Sequence, residues 1–187
     1  MLNKNTRIKV RNRSAANVGY SIPDLGNLHR SFTANEVKEV SFEELQKLTY
    51  QPGGSYILQH YLVIDNQEAR EEILGTVELE YDYTEKEVKD LLLYGSMDAL
   101  LDCLDFAPIG VIDLVKKIAV DLELADTRKR KAIYKATGFN IDNAIKINEE
   151  SKMTDEEQDV PVRRVSTTET AREEAPAAPV RRQVIKK

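Results

Sequence analysis

The chain has 187 residues, 41% of them hydrophobic, a net charge of −5 and one cysteine. That length fits one ordinary domain or two small ones plus a tail, and a lone cysteine excludes an intramolecular disulfide. No run approaches the roughly 18 consecutive apolar residues of a membrane span, and no apolar stretch follows Met1-Leu2-Asn3-Lys4-Asn5, so neither a span nor a secretory signal is expected.

The charge is polarised along the chain. Residues 1–40 hold seven Lys/Arg against three Asp/Glu, residues 41–110 hold four against fifteen, and the remainder is near balance. A basic start and an acidic middle can pair within a molecule or between neighbours in an assembly.

The first forty residues read as β structure. Thr6 to Arg11 alternates apolar and basic, which predicts a half-buried strand with Arg7, Lys9 and Arg11 outward. Val18–Ile22 is a second strand, stopped by Pro23-Asp24. Leu28–Phe32 is a third and Glu36–Val40 a fourth. Four short strands separated by turns suggest a small antiparallel sheet or sandwich with a cover on its apolar face. Ser41 followed by Glu44 is a capping box opening a helix whose Phe42, Leu45 and Leu48 can supply that cover. Tyr56–His60 is a short helix, Tyr61–Ile64 a strand, and Gln67–Leu74 a helix closed by Gly75. These make an α+β module over residues 1–75.

Past the acidic link 76–82 the pattern turns helical. Thr84 with Glu87 is a second capping box, for a helix reaching Tyr94 through Val88, Leu91 and Leu92. Ser96 caps the next, which carries Met97, Leu100, Leu101 and Leu104. Pro108 sits in the first turn of a third, and Asp126 caps a fourth with Ala132, Ile133 and Ala136 inward and Gly138 at its stop. Asp142–Asn148 adds a last turn or two. Short loops predict a compact helical bundle over residues 76–148.

From residue 149 the chain is Glu, Asp, Ser, Thr, Pro, Ala and Arg, with no aromatic residue after Ser151. Such a segment cannot bury enough apolar area to offset its chain entropy, so residues 149–187 are expected to be disordered until bound. It carries one motif twice, Pro161-Val162-Arg163-Arg164 and Pro179-Val180-Arg181-Arg182, eighteen residues apart. Proline stiffens an extended strand, valine offers a small anchor and paired arginines fork onto carboxylates. Two copies on one flexible arm favour docking by multivalency.

Signatures of catalysis are missing where they would be expected. There is no Gly-x-Gly-x-x-Gly and no phosphate-binding Gly-Lys-Ser/Thr loop. His29 and His60 lack ligand spacing to another His or Cys, and no cation neighbours Cys103, which reads as a buried small hydrophobe. Glu78, Glu80 and Asp82 alternate along an extended stretch; Asp98, Asp102 and Asp105 share a helical face. Either set reads as a solvated face or a basic partner's surface before it reads as a magnesium or calcium site. The nucleic-acid candidate is Arg128-Lys129-Arg130-Lys131, with Lys135 a turn later. Cations at a helix start oppose the macrodipole, which hints at use.

Val18-Gly19-Tyr20-Ser21-Ile22-Pro23-Asp24-Leu25, Phe42-Glu43-Glu44-Leu45, Pro52-Gly53-Gly54 and Leu104-Asp105-Phe106-Ala107-Pro108 together give the chain a likeness. Across residues 6–148 it resembles small uncharacterised proteins of tailed bacteriophages. The resemblance implies a virion structural or assembly protein, capsid-associated or accessory, made in the host cytoplasm and docked to capsid or connector subunits. It transfers no functional residue. The expectation is therefore an α+β, non-enzymatic protein without cofactor or membrane contact, its tail a tether, with homo-oligomerisation left open. The alternative is a small regulatory adaptor contacting nucleic acid through Arg128–Lys131 and the arginine tail.

Overall fold

Strand β1 (Arg7–Asn12) buries Ile8, Val10 and Asn12 and turns Arg7 and Lys9 to solvent, as period-two alternation requires. It is the centre of a three-stranded antiparallel sheet in a computed structural model that describes residues 2–75, 79 and 81–158. On one side lies β4 (Val37–Ser41), with Lys9 opposite Glu39 as a cross-strand charge pair. On the other lies β5 (Leu62–Ile64), buried at all three positions. Strands β2 (Val18–Ile22) and β3 (Leu28–Phe32) form a separate two-stranded antiparallel ribbon. The fold is α+β, but the first four strands do not share one sheet.

Asn12 and its neighbours explain that departure. The buried Asn12 amide donates to the carbonyls of Ala16 (2.8 Å) and Thr33 (2.9 Å). Its Oδ1 accepts from the amide (2.9 Å) and hydroxyl (3.0 Å) of Ser14. The chain is thereby turned out of the sheet straight after β1, so β2 pairs with β3 instead. The Asn12 and Ser14 donors are thus satisfied within the protein.

Helix α1 (Phe42–Thr49) covers this half with Phe42, Leu45 and Leu48, joined by α2 (Gly54–His60) and α3 (Gln67–Leu74). Their apolar residues close one buried cluster with Ile8, Val10, Ile22, Phe32 and Val40. A second cluster is built from α4 (Glu85–Tyr94), α5 (Met97–Phe106), α6 (Ile109–Asp121), α7 (Thr127–Thr137) and α8 (Ile141–Gln158). Its centre is α6, which buries Val111, Leu114, Val115, Ile118 and Ala119.

The two clusters meet across a polar seam. Arg11 pairs with Asp82 (2.5 Å), Asn35 donates to Glu85 (3.0 Å), and the first turn of α6 abuts the loop after β1. Gly110 is required there: a Cβ would lie 2.7 Å from the His60 carbonyl oxygen and 3.1 Å from Arg13 Cγ.

Several local expectations are corrected. Ala136 is exposed, because α7 buries a narrower stripe than its sequence allows. Pro108 is the residue before α6, not within its first turn. Helix α8 runs ten residues past Asn148, through a stretch expected to be disordered. That stretch holds Glu, Lys, Met and Gln with no glycine or proline, so a helix already nucleated on α6 propagates at little cost. Among the described residues no helix is long and apolar enough to cross a membrane.

Candidate docking surface

The basic run on α7 is taken apart by its own helix. Asp126 caps α7 through its carboxylate, which accepts from the amides of Arg128 (2.8 Å) and Lys129 (3.3 Å) and is held below its ordinary range chiefly by the first of these bonds. Lys129 is then turned inward to 6% exposure. Its Nζ donates to the carbonyls of Leu91 (3.2 Å), Leu92 (2.7 Å) and Gly95 (2.8 Å), the C-terminal end of α4. Its charge thus sits where a macrodipole favours a cation. Arg130 donates to the Leu124 carbonyl and pairs with Asp142 at the start of α8. Of the four cations proposed for nucleic acid, Arg128 and Lys131 remain exposed, with Lys135 beyond them. Lys129 is withdrawn because four consecutive helical residues span every face, one of which must be the core.

Glu44 departs from its expected role in the same way. Ser41 Oγ accepts from the Glu44 amide (3.3 Å), so half of that capping box forms. The Glu44 carboxylate, 2% exposed, instead accepts from Tyr20 Oη (2.7 Å) and from Arg30 Nε (2.5 Å) and Nη2 (2.8 Å). This two-pronged contact ties α1 to the β2–β3 ribbon. Burial, then the bond to Glu44, pushes the Tyr20 hydroxyl well above its ordinary pKa. The Thr84–Glu87 box forms in full. Sequence spacing revealed both N-caps but not which glutamate the core would claim.

The remaining candidates are scattered. Asp98, Asp102 and Asp105 lie exposed on α5, with Tyr81 donating to Asp102 (3.0 Å). Asp82 is bound to Arg11, and Glu78 and Glu80 lie outside the described residues. Among the described residues no three His, Cys, Asp or Glu side chains gather closely enough to hold a metal ion. His29 is exposed on β3; His60 is half-buried on α2, its ring 4.4 Å from that of Tyr56. Cys103 is fully buried, and burial, with Asp102 adding to it, pushes its thiol up to about 11. It is a core residue and no nucleophile at neutral pH. Arg13 went unnoticed in the sequence: it is 4% exposed, its Nε has no hydrogen-bond partner among the described residues, and burial lowers its pKa against the pull of Asp82.

What the surface does present is large apolar side chains. Tyr50 (83% exposed), Tyr94 (82%) and Phe106 (69%) stand in solvent, with Tyr134 on α7 and Ile147 on α8. Beside Ile147 a groove of about 390 Å³ runs between α6 and α8, lined by Val120, Phe139, Ala144 and Ile147. Both copies of the Pro-Val-Arg-Arg motif, Pro161–Arg164 and Pro179–Arg182, lie outside the described residues. Comparison of the chain with protein-family models, with curated proteins and with solved structures finds no match in any of the three.

Proposed function

We propose that the chain is a non-enzymatic structural or assembly protein of a bacteriophage particle, docking to other virion subunits while its C-terminal arm acts as a tether. The observation that carries this reading is the exposure of Tyr50, Tyr94 and Phe106 on a body whose two cores are already filled. Aromatic side chains of this kind are the common anchors of protein interfaces, where they sink into a partner's pockets. The arginine motif of the arm adds a second mode of attachment. The resemblance over residues 6–148 supplies the virion setting. An acidic α5 face beside Phe106 would suit a basic partner surface.

The test is mass spectrometry of gradient-purified particles from cells producing the phage. The chain is expected at a fixed copy number that survives a high-salt wash. Its absence from particles, with the protein soluble and free, overturns the reading. The adaptor alternative loses ground because Lys129 and Arg130 are engaged internally. Titration of a labelled oligonucleotide distinguishes the two: tight binding that collapses steeply with salt favours the adaptor.

A further inference from the structure

Helices α6 and α8 pack against each other. Ile147 is left 63% exposed, and Val120 and Ile145 only half-buried. A shallow, open groove of about 390 Å³ lies between them. It continues into a smaller hollow lined by Glu123, Ile145 and Glu149, and the two share Val120, Asp121 and Asn148. An apolar floor is thus bordered by three carboxylates, Asp121, Glu123 and Glu149. Lys117 is the one cation lining it among the described residues.

That chemistry matches a short apolar residue followed by two arginines. We propose that the groove receives the second copy of the chain's own motif, Pro179-Val180-Arg181-Arg182, within the same molecule. Val180 seats on Val120, Phe139 and Ile147, and Arg181 and Arg182 fork onto the acidic border.

Reach selects which copy docks. The groove lies beside residues 144–148, and α8 ends at Gln158, ten to fourteen residues later. At 1.5 Å per residue the chain must return about 15–21 Å along the helix. Val162 is four residues beyond Gln158 and spans about 14 Å at most, so the first copy falls short. Val180 is 22 residues beyond, and a random coil of that length would have a root-mean-square span of about 23–28 Å. That exceeds the distance to be bridged, and beyond the matching length effective concentration falls only as about the −3/2 power of linker length. The second copy therefore closes on its own body while the first stays free for a neighbour. The inference stands apart from the virion reading, since a parked arm serves an adaptor equally well.

The experiment uses the full ¹⁵N-labelled chain carrying a nitroxide at Gln183→Cys. Cys103 is buried and does not compete for the label. Amide signals of Val120, Ala144 and Ile147 are expected to lose at least about half their intensity, while Leu58 keeps its own. Arg181→Glu/Arg182→Glu in the same labelled chain should restore them, as should Ile147→Asp for the remaining two. Absence of selective loss overturns the proposal, as does loss that persists with both arginines reversed. Loss seen only when labelled ¹⁴N and unlabelled ¹⁵N chains are mixed assigns the groove to a neighbour's arm, which also overturns it.

Discussion

Replacing Lys129 with methionine keeps the length of the side chain and removes its charge and donors. In the native protein its ammonium serves three carbonyls at the end of α4. Leu91 O also accepts from the Gly95 amide and keeps a partner, whereas Leu92 O and Gly95 O depend on the ammonium. Leaving each under-satisfied costs about 1–3 kcal/mol. Relief from burying a charge offsets part of that, so the net loss should be about 2–4 kcal/mol. For a chain of this size that lowers Tm by about 4–16 °C. Urea titration followed by circular dichroism measures it, with Lys131→Met, exposed on the same helix, as the control within about 0.5 kcal/mol. If the two variants are equally stable, the account of Lys129 as a staple is wrong. Loss of nucleic-acid binding by a fully stable Lys129→Met would return this residue to a surface role.

Glu44→Gln should cost about 2–3 kcal/mol in the same titration, since Arg30 loses its two-pronged anion and Tyr20 its acceptor; the figure is kept low because Arg30 is about a quarter exposed. Cys103 should resist Ellman's reagent at pH 8 in the native protein and react stoichiometrically in denaturant; rapid native reaction would contradict its burial. Because its pKa is raised from 9.0 to about 11 on folding, its contribution to stability is complete below pH 9 and is lost as pH rises toward 11. Tyr20 acts in the same direction above pH 10, so Cys103→Ala should blunt the alkaline fall without abolishing it. Gly54→Ala should lower stability by about 3 kcal/mol, because its Cβ would lie 1.8 Å from the Leu48 carbonyl oxygen. Gly53→Ala, with open space but a φ of +78°, should cost only about 1–2 kcal/mol; equal losses would show that the crowding is relieved by a shift of the chain.

Local elements were legible in the sequence wherever one or two neighbouring residues decide them. Strands β2 and β3 and helix α3 begin and end where the sequence places them, with Pro23 stopping β2 and Gly75 closing α3. Asp126, Ser96 and Thr84 cap their helices because a short acceptor before a helical run finds the free amides two or three residues on. The α+β class followed from the change of period near residue 84.

Partners distant in the chain were decided by the tertiary structure. The sheet order set β1 between β4 and β5 and left β2–β3 apart, a choice made by the buried hydrogen bonds of Asn12. Glu44 and Lys129 look like surface charges in the sequence, yet one joins a ribbon to a helix and the other closes α4. A charged side chain goes inside when enough oppositely polar groups converge on its head to replace water, and those groups come from elements 14 to 38 residues away. Pattern within a window of the chain determines what each segment becomes; which segments then meet depends on packing in three dimensions, where sequence distance carries no weight.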